Sequence, residues 1–79
     1  MPDAPVVSTL DCRGLICPLP VLKLTRAIRG VAVGSVIELL ATDPGAPADL
    51  EAFERQSGHR LVESSEADGV FRFLVQRAR

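Results

Sequence analysis

Pro18 and Pro47 each stand at the head of a segment with helical spacing, and a glycine closes each segment, Gly30 the first and Gly58 the second. Proline suits the first turn of a helix, where its missing N–H would have no partner, and glycine suits the position just past the end. The rest of the chain reads as strand. Residues 6–11 are short and β-branched. Residues 35–41, SVIELLA, form a near-continuous apolar run of the kind found in interior strands. Residues 60–65 and 70–77 flank Ala67-Asp68-Gly69, where Asp-Gly tolerates the positive φ of a hairpin turn. The order is βαβαββ. The first two strands, joined through a helix, are expected to be parallel with a right-handed crossover, and the last two antiparallel. The expected fold class is α+β: a two-layer α/β sandwich with a mixed four-stranded sheet and two helices on one face.

The periodicity also assigns faces. Val21, Leu24, Ala27, Ile28 and Val31 recur at three- and four-residue spacing and mark the buried stripe of the first helix, leaving Lys23, Arg26 and Arg29 in water. Leu50 and Phe53 face inward from the second helix, and Asp49 and Glu51 are expected in its first turn, where acids suit the helix dipole. Phe71, Phe73 and Val75 share one face of the last strand. A chain of 79 residues buries only roughly 60–65% of the surface that its unfolded form exposes. It supports one small core and no deep cavity, so its chemistry belongs at the surface. Residues 1–5, with two prolines, are expected to be a flexible tail, and residues 6–79 a single domain.

Several function classes fit poorly. Three Phe with no Trp or Tyr make a poor base-stacking platform for nucleic acid. The net charge of −1 argues against a polyanion binder, although four basic against two acidic residues give residues 1–34 a net +2, and five against eight give residues 35–79 a net −3. The longest apolar runs fall far short of a membrane span, and the N-terminal residues lack a basic and then apolar signal pattern, so a cytoplasmic location is expected. One His and two Cys cannot fill a structural zinc site, so no metal is expected, and no cofactor motif such as a Gly-rich phosphate loop is present. His59, just past a helix end, reads as a surface residue, since it has no evident catalytic partner.

Cys17 is the residue with reactive surroundings. It precedes Pro18, which makes it the expected N-cap of the first helix, at the positive end of the dipole, where a thiol pKa falls and the thiolate is favoured. Pro20, at the expected N3 position, removes one amide donor and leaves Leu19 as the main N–H available to the sulfur. The connections after the first two strands both leave the carboxyl end of the sheet, the edge where open α/β sheets bind ligands. The Cys17 loop and the Asp43-Pro44 loop should therefore lie together. Cys12 ends the first strand on the same side as Leu10 and is expected to face the core. The sharper alternative makes it a resolving thiol that pairs with Cys17 under oxidation, which needs Cα atoms within about 7 Å.

The run Leu10-Asp11-Cys12-Arg13-Gly14-Leu15-Ile16-Cys17-Pro18-Leu19-Pro20-Val21-Leu22 resembles the signature of the TusA/SirA/YedF-like sulfur-transfer family: an Asp, a Gly-Leu pair after two intervening residues, then Cys-Pro-x-Pro. Asp11, Gly14, Leu15, Cys17, Pro18 and Pro20 match in register, and Gly34, Asp43-Pro44, Gly58-His59 and the Asp-Gly hairpin fit downstream. The resemblance spans residues 9–77 and implies the sandwich reached above. It also implies a sulfurtransferase without a cofactor. Cys17 would accept sulfane sulfur as a persulfide from a cysteine desulfurase or rhodanese-like donor and pass it to an acceptor protein. In the family the end uses include tRNA thiolation, molybdenum-cofactor assembly and sulfur oxidation. Asp11, Gly14, Pro18, Leu19, Pro20, Asp43 and Pro44 would shape the site. Arg13, Lys23 and Arg26 are candidates for docking an acidic partner, and Cys12 is a possible second thiol. Cys12 is not part of the family core.

A different class remains open: a non-catalytic RNA- or protein-binding module on the same fold, supported by the Arg13, Lys23, Arg26 and Arg29 cluster alone. A third reading is selenium handling through the same thiol. A monomer is expected, with no direct nucleic-acid or membrane contact.

Overall fold

The computed structural model describes residues 5–79, so the expected tail lies, but for Pro5, outside the described residues. The elements run β1 (Val6–Cys12), α1 (Leu19–Ile28), β2 (Val36–Ala41), α2 (Ala46–Ser57), β3 (Arg60–Ala67) and β4 (Val70–Gln76). The four strands make one mixed sheet in the order β1-β2-β4-β3. β1 and β2 are parallel, with Leu10 opposite Leu39 and Cys12 opposite Ala41, whereas β4 runs antiparallel to both β2 and β3. The fold is the α+β sandwich that the patterning predicts.

Alternation decides which side of the sheet is covered. Ile37, Leu39 and Ala41 of β2 and Phe73 and Val75 of β4 are buried, and they pack with Cys12, with Leu24 and Ile28 of α1, and with Leu50 and Phe53 of α2. The other face mixes partly buried Leu40 and Leu74 with an ionic cluster: the Arg72 guanidinium bonds Glu38 on the neighbouring strand and Glu63 at 3.1 Å, and Thr9 donates to Glu38 at 2.9 Å. A period of two thus separates an apolar face under the helices from a face stitched by ions. The Arg72 bond also holds the Glu38 carboxyl below its usual pKa.

Chain stops follow local chemistry. Gly58 ends α2 in the left-handed region at φ 81°, a conformation that costs a Cβ-bearing residue about 1 kcal/mol or more. At the β3–β4 turn Asp68 and Gly69 both have positive φ, 55° and 81°. α1 ends differently. The guanidinium of Arg77, just past β4, donates to the carbonyls of Arg29 at 3.3 Å and Val31 at 2.6 Å, where the helix dipole favours a cation. Glu51 lies beyond the first turn of α2, which contains Asp49 alone of the two acids, because the helix starts at Ala46.

Phe73 is wholly buried, in the core cluster that also holds Leu24 and Ile28 of α1 and Leu50 and Phe53 of α2. Phe73→Ala is expected to cost about 3–5 kcal/mol of folding stability, read as a lower midpoint in urea unfolding with an unchanged slope.

Candidate functional site

The β1–α1 and β2–α2 connections meet at the carboxyl edge of β1 and β2. Two hydrogen bonds join them: the Gly14 amide donates to Thr42 Oγ1 at 2.9 Å and the Cys17 amide donates to Asp43 Oδ2 at 3.0 Å. The parallel register brings this about. Cys12 and Ala41 are opposite each other at the strand ends, so both chains leave the sheet at the same level. Gly14 takes φ 81°, and the loop tightens further through a bond from the Leu15 amide to the Cys12 carbonyl at 3.1 Å. The Asp43 carbonyl in turn accepts from the Ala46 amide at 2.9 Å, which sets the start of α2.

α1 begins later than its sequence suggests. Its N-cap is Pro18, not Cys17, and no side chain caps it. The Cys17–Pro18 peptide bond is cis. Pro20 falls in the first two helical positions, not at N3. The Leu19 amide, expected to face the sulfur, donates instead to the Ile16 carbonyl at 2.9 Å. Cys17 therefore stands outside the helix, bonded through its backbone to Asp43 and not through its sulfur to the amides of α1.

The electrostatics change accordingly. The Cys17 thiol pKa is raised, not lowered. Its hydrogen bond to the Asp49 carboxylate is the first cause, with desolvation and the negative charges of Asp49 and Asp43 acting in the same direction. Each of these causes favours the neutral thiol over the thiolate. Asp49 is the residue that sequence reasoning placed only as a helix-dipole acid. Its nearness to Cys17 depends on the pairing of two distant loops, and only the expectation that those loops adjoin could have signalled it.

The two thiols have opposite settings. Cys12 is wholly buried in the core and Cys17 is exposed, and both are free. Desolvation pushes the Cys12 thiol up. Buried at a strand end between the sheet and the helices, Cys12 is screened from solvent and is unsuited to a resolving role.

Around Cys17 the surface is apolar and then basic. Ile16, Leu19 and Leu22 are 72%, 46% and 53% exposed, high values for aliphatic side chains in so small a fold. Leu19 and Leu22 line a shallow groove with Lys23 and Arg26. Arg13 is engaged closer to home: its Nε and Nη2 each donate to the Asp11 carboxylate at 2.8 Å. That fork holds the Asp11 carboxyl down at about 2. His59 packs on Phe53 with ring centroids 6.0 Å apart and accepts at Nδ1 from the Ala78 amide at 3.1 Å, which makes it a structural contact near the C-terminal end of β4.

Fold and site together define a small α+β protein with one exposed cysteine at the carboxyl edge of its sheet. Comparison with known proteins gives the class a name. The family profile described as Sulfurtransferase TusA matches residues 8–77. A putative sulfur carrier protein of Neisseria meningitidis is 54% identical over 68 residues, covering 86% of this chain and 92% of its own length. The sulfur carrier protein TusA of Allochromatium vinosum is 42% identical over 69 residues, covering 87% and 91%. A SirA-like protein from Desulfitobacterium hafniense has the same fold, with a TM-score of 0.79 over 91% of this chain and 99% of that one at 24% identity. The chain belongs to the TusA family of sulfurtransferases, and its role is that of a sulfur carrier.

Asp43→Ala removes one of the two hydrogen bonds between the loops and leaves that of Gly14 to Thr42. Exchange of the Cys17 amide hydrogen should then quicken by about tenfold, as expected for the loss of a hydrogen bond to a charged acceptor, while the β2 amides keep their protection. Hydrogen-exchange NMR checks both.

Proposed function

We propose that the chain carries sulfur as a persulfide on Cys17, accepting it from a donor protein and passing it to an acceptor protein. The observation that supports this most is the contrast between the two thiols: Cys17 is exposed on a loop braced by Asp43, and Cys12 is sealed in the core. A carrier that meets more than one partner gains from a single, accessible and pre-positioned sulfur.

Asp11, Gly14, Pro18, Leu19, Pro20, Asp43 and Pro44 shape this site in our reading. Asp43 holds the loop through the Cys17 amide, Gly14 supplies the positive φ that turns it, and Asp11 holds Arg13 against the strand end. Partner docking falls to the exposed apolar residues beside Cys17 together with Lys23 and Arg26, which suits a partner with an acidic rim. Arg13 contributes less than its charge suggests, because Asp11 neutralises it. Among the described residues no helix is long and apolar enough to cross a membrane; a cytoplasmic location is part of the proposal. The acceptor pathway is one of those the family serves: tRNA thiolation, molybdenum-cofactor assembly or sulfur oxidation.

Reduced protein incubated with a persulfide donor should gain the mass of sulfur, reversibly on adding reductant. Cys17→Ser should abolish the gain and Cys12→Ala should retain it, both read by intact-mass spectrometry. A gain that survives Cys17→Ser overturns the assignment.

A further inference from the structure

The net charge of −1 conceals two poles. Arg60 is paired with Gln76 and Gln76 with Val36, so the start of β3, the end of β4 and the start of β2 share the edge opposite the Cys17 loop. Both helices end at that edge. It carries Arg29 just past α1, Arg55 in the last turn of α2, Arg60, Arg77 and Arg79, with Glu54 as the acid among the described residues. Five bases against one acid give it a net +4. The Cys17 edge carries Asp11, Asp43, Asp49, Glu66 and Asp68 against Arg13, a net −4.

The fold itself needs only part of this charge. Each helix C-terminus carries about half a negative unit, so two helices answer roughly one cation. Arg77 meets that need at α1 through the carbonyls of Arg29 and Val31. Arg29, Arg55, Arg60 and Arg79 are exposed, and among the described residues none of them joins an ion pair. The Glu54 carboxylate is engaged by the Leu61 amide at 2.8 Å. The same edge holds an open groove of about 480 Å³, lined by Glu54, Arg60, Leu61, Val62 and Gln76. Here β3, an outermost strand of the sheet, breaks register between Leu61 and Glu63 and leaves Val62 out of the ladder. Leu61 and Val62 give the groove an aliphatic floor, and no aromatic ring lines it.

We propose that this edge is a second docking surface, for a protein segment that carries aspartates or glutamates around one aliphatic side chain. The carboxylates pair with Arg60, Arg79 and Arg55, whose planar guanidinium groups match a carboxylate fork. The aliphatic side chain enters the groove over Leu61 and Val62. Nucleic acid fits this edge less well: bases have no ring to stack on, and the acidic pole repels a long polyanion. The surface lies at the far edge of the sheet from Cys17, so a segment held there leaves the sulfur exposed to other proteins. The site stands whether or not Cys17 is the thiol that carries sulfur.

A capped peptide with one leucine between two runs of glutamates tests this, titrated into the isotope-labelled protein at physiological ionic strength and followed by NMR. The amides of Arg60, Leu61 and Val62 should move, and those of Cys17 and Lys23 should stay. Replacing the leucine by serine should weaken binding about three- to tenfold, as expected for partial burial of an aliphatic side chain. The double variant Arg60→Glu/Arg79→Glu should bind the peptide about tenfold or more weakly, and should take up a peptide with lysines in place of the glutamates. Unmoved β2 amides show that the variant is folded. Shifts centred on Lys23 and Arg26, equal affinity for the leucine and serine peptides, or no shift at about 1 mM peptide overturns the proposal. So does a short RNA duplex that displaces the peptide better than the free peptide does at equal concentration of negative charge, which would assign the pole to nucleic acid.

Discussion

Asp43 is bonded in two directions at the carboxyl edge of the sheet. Its side chain accepts from the Cys17 amide and its carbonyl accepts from the Ala46 amide. The first bond holds the β1–α1 loop and the second starts α2, so one residue sets the distance between the reactive sulfur and the acids of α2. The joint needs the parallel pairing of β1 and β2, which brings both strands to the same edge. A chain this small has little interior in which to build a site. It builds one on the outside instead, by bracing a loop against its neighbour with a buried sheet beneath.

The charge state of Cys17 shows how local contacts override a general field. A sulfur at the N-cap of a helix would meet free amides and a positive dipole end. Here Cys17 lies one residue outside that position, the Leu19 amide is taken by the Ile16 carbonyl, and Pro20 has no amide to offer. What the sulfur meets is carboxylate. The same rule operates at the strand end, where the Arg13 fork pulls the Asp11 carboxyl far down although both side chains are exposed. In each case a hydrogen-bonded side chain is the first cause of the shift.

Most of the architecture was legible in the sequence because it rests on short-range patterns. The near-continuous apolar run of β2, the alternation of Phe71, Phe73 and Val75 in β4, the helical spacing of Leu24 and Ile28, the glycine stop at Gly58 and the Asp68-Gly69 turn each involve residues close in the chain. The adjoining of the Cys17 and Asp43 loops was legible too, as a consequence of topology. Two things were not. The start of α1 moved past Cys17 because a run of two prolines supplies few amides with which to close a first turn, and the carbonyl of Ile16 takes the one at Leu19. Asp49 stayed hidden because its role depends on α2 lying against a loop far away in sequence. The Arg77 contacts that close α1 escaped for the same reason, since a side chain beyond the last strand supplies them.

The surface at Cys17 has two characters. Ile16 and Leu19, on either side of the Cys17–Pro18 pair, begin an exposed apolar strip that continues through Leu22 and is edged by Lys23 and Arg26. The contribution from α2 is acid, through Asp49, and the β2–α2 loop adds Asp43. Apolar area supplies attraction without much direction, whereas charge of both signs around one atom fixes orientation. On the proposed docking surface, a partner places acidic groups along α1 and meets Asp43 and Asp49 on the α2 side. Turned around, the same partner would set its acidic groups against Asp43 and Asp49. A single exposed sulfur on a flat surface would otherwise be open to any thiol or persulfide in reach. In that reading the division of charge across α1 and α2 gives so small a fold a physical means of fixing the orientation in which a partner meets it.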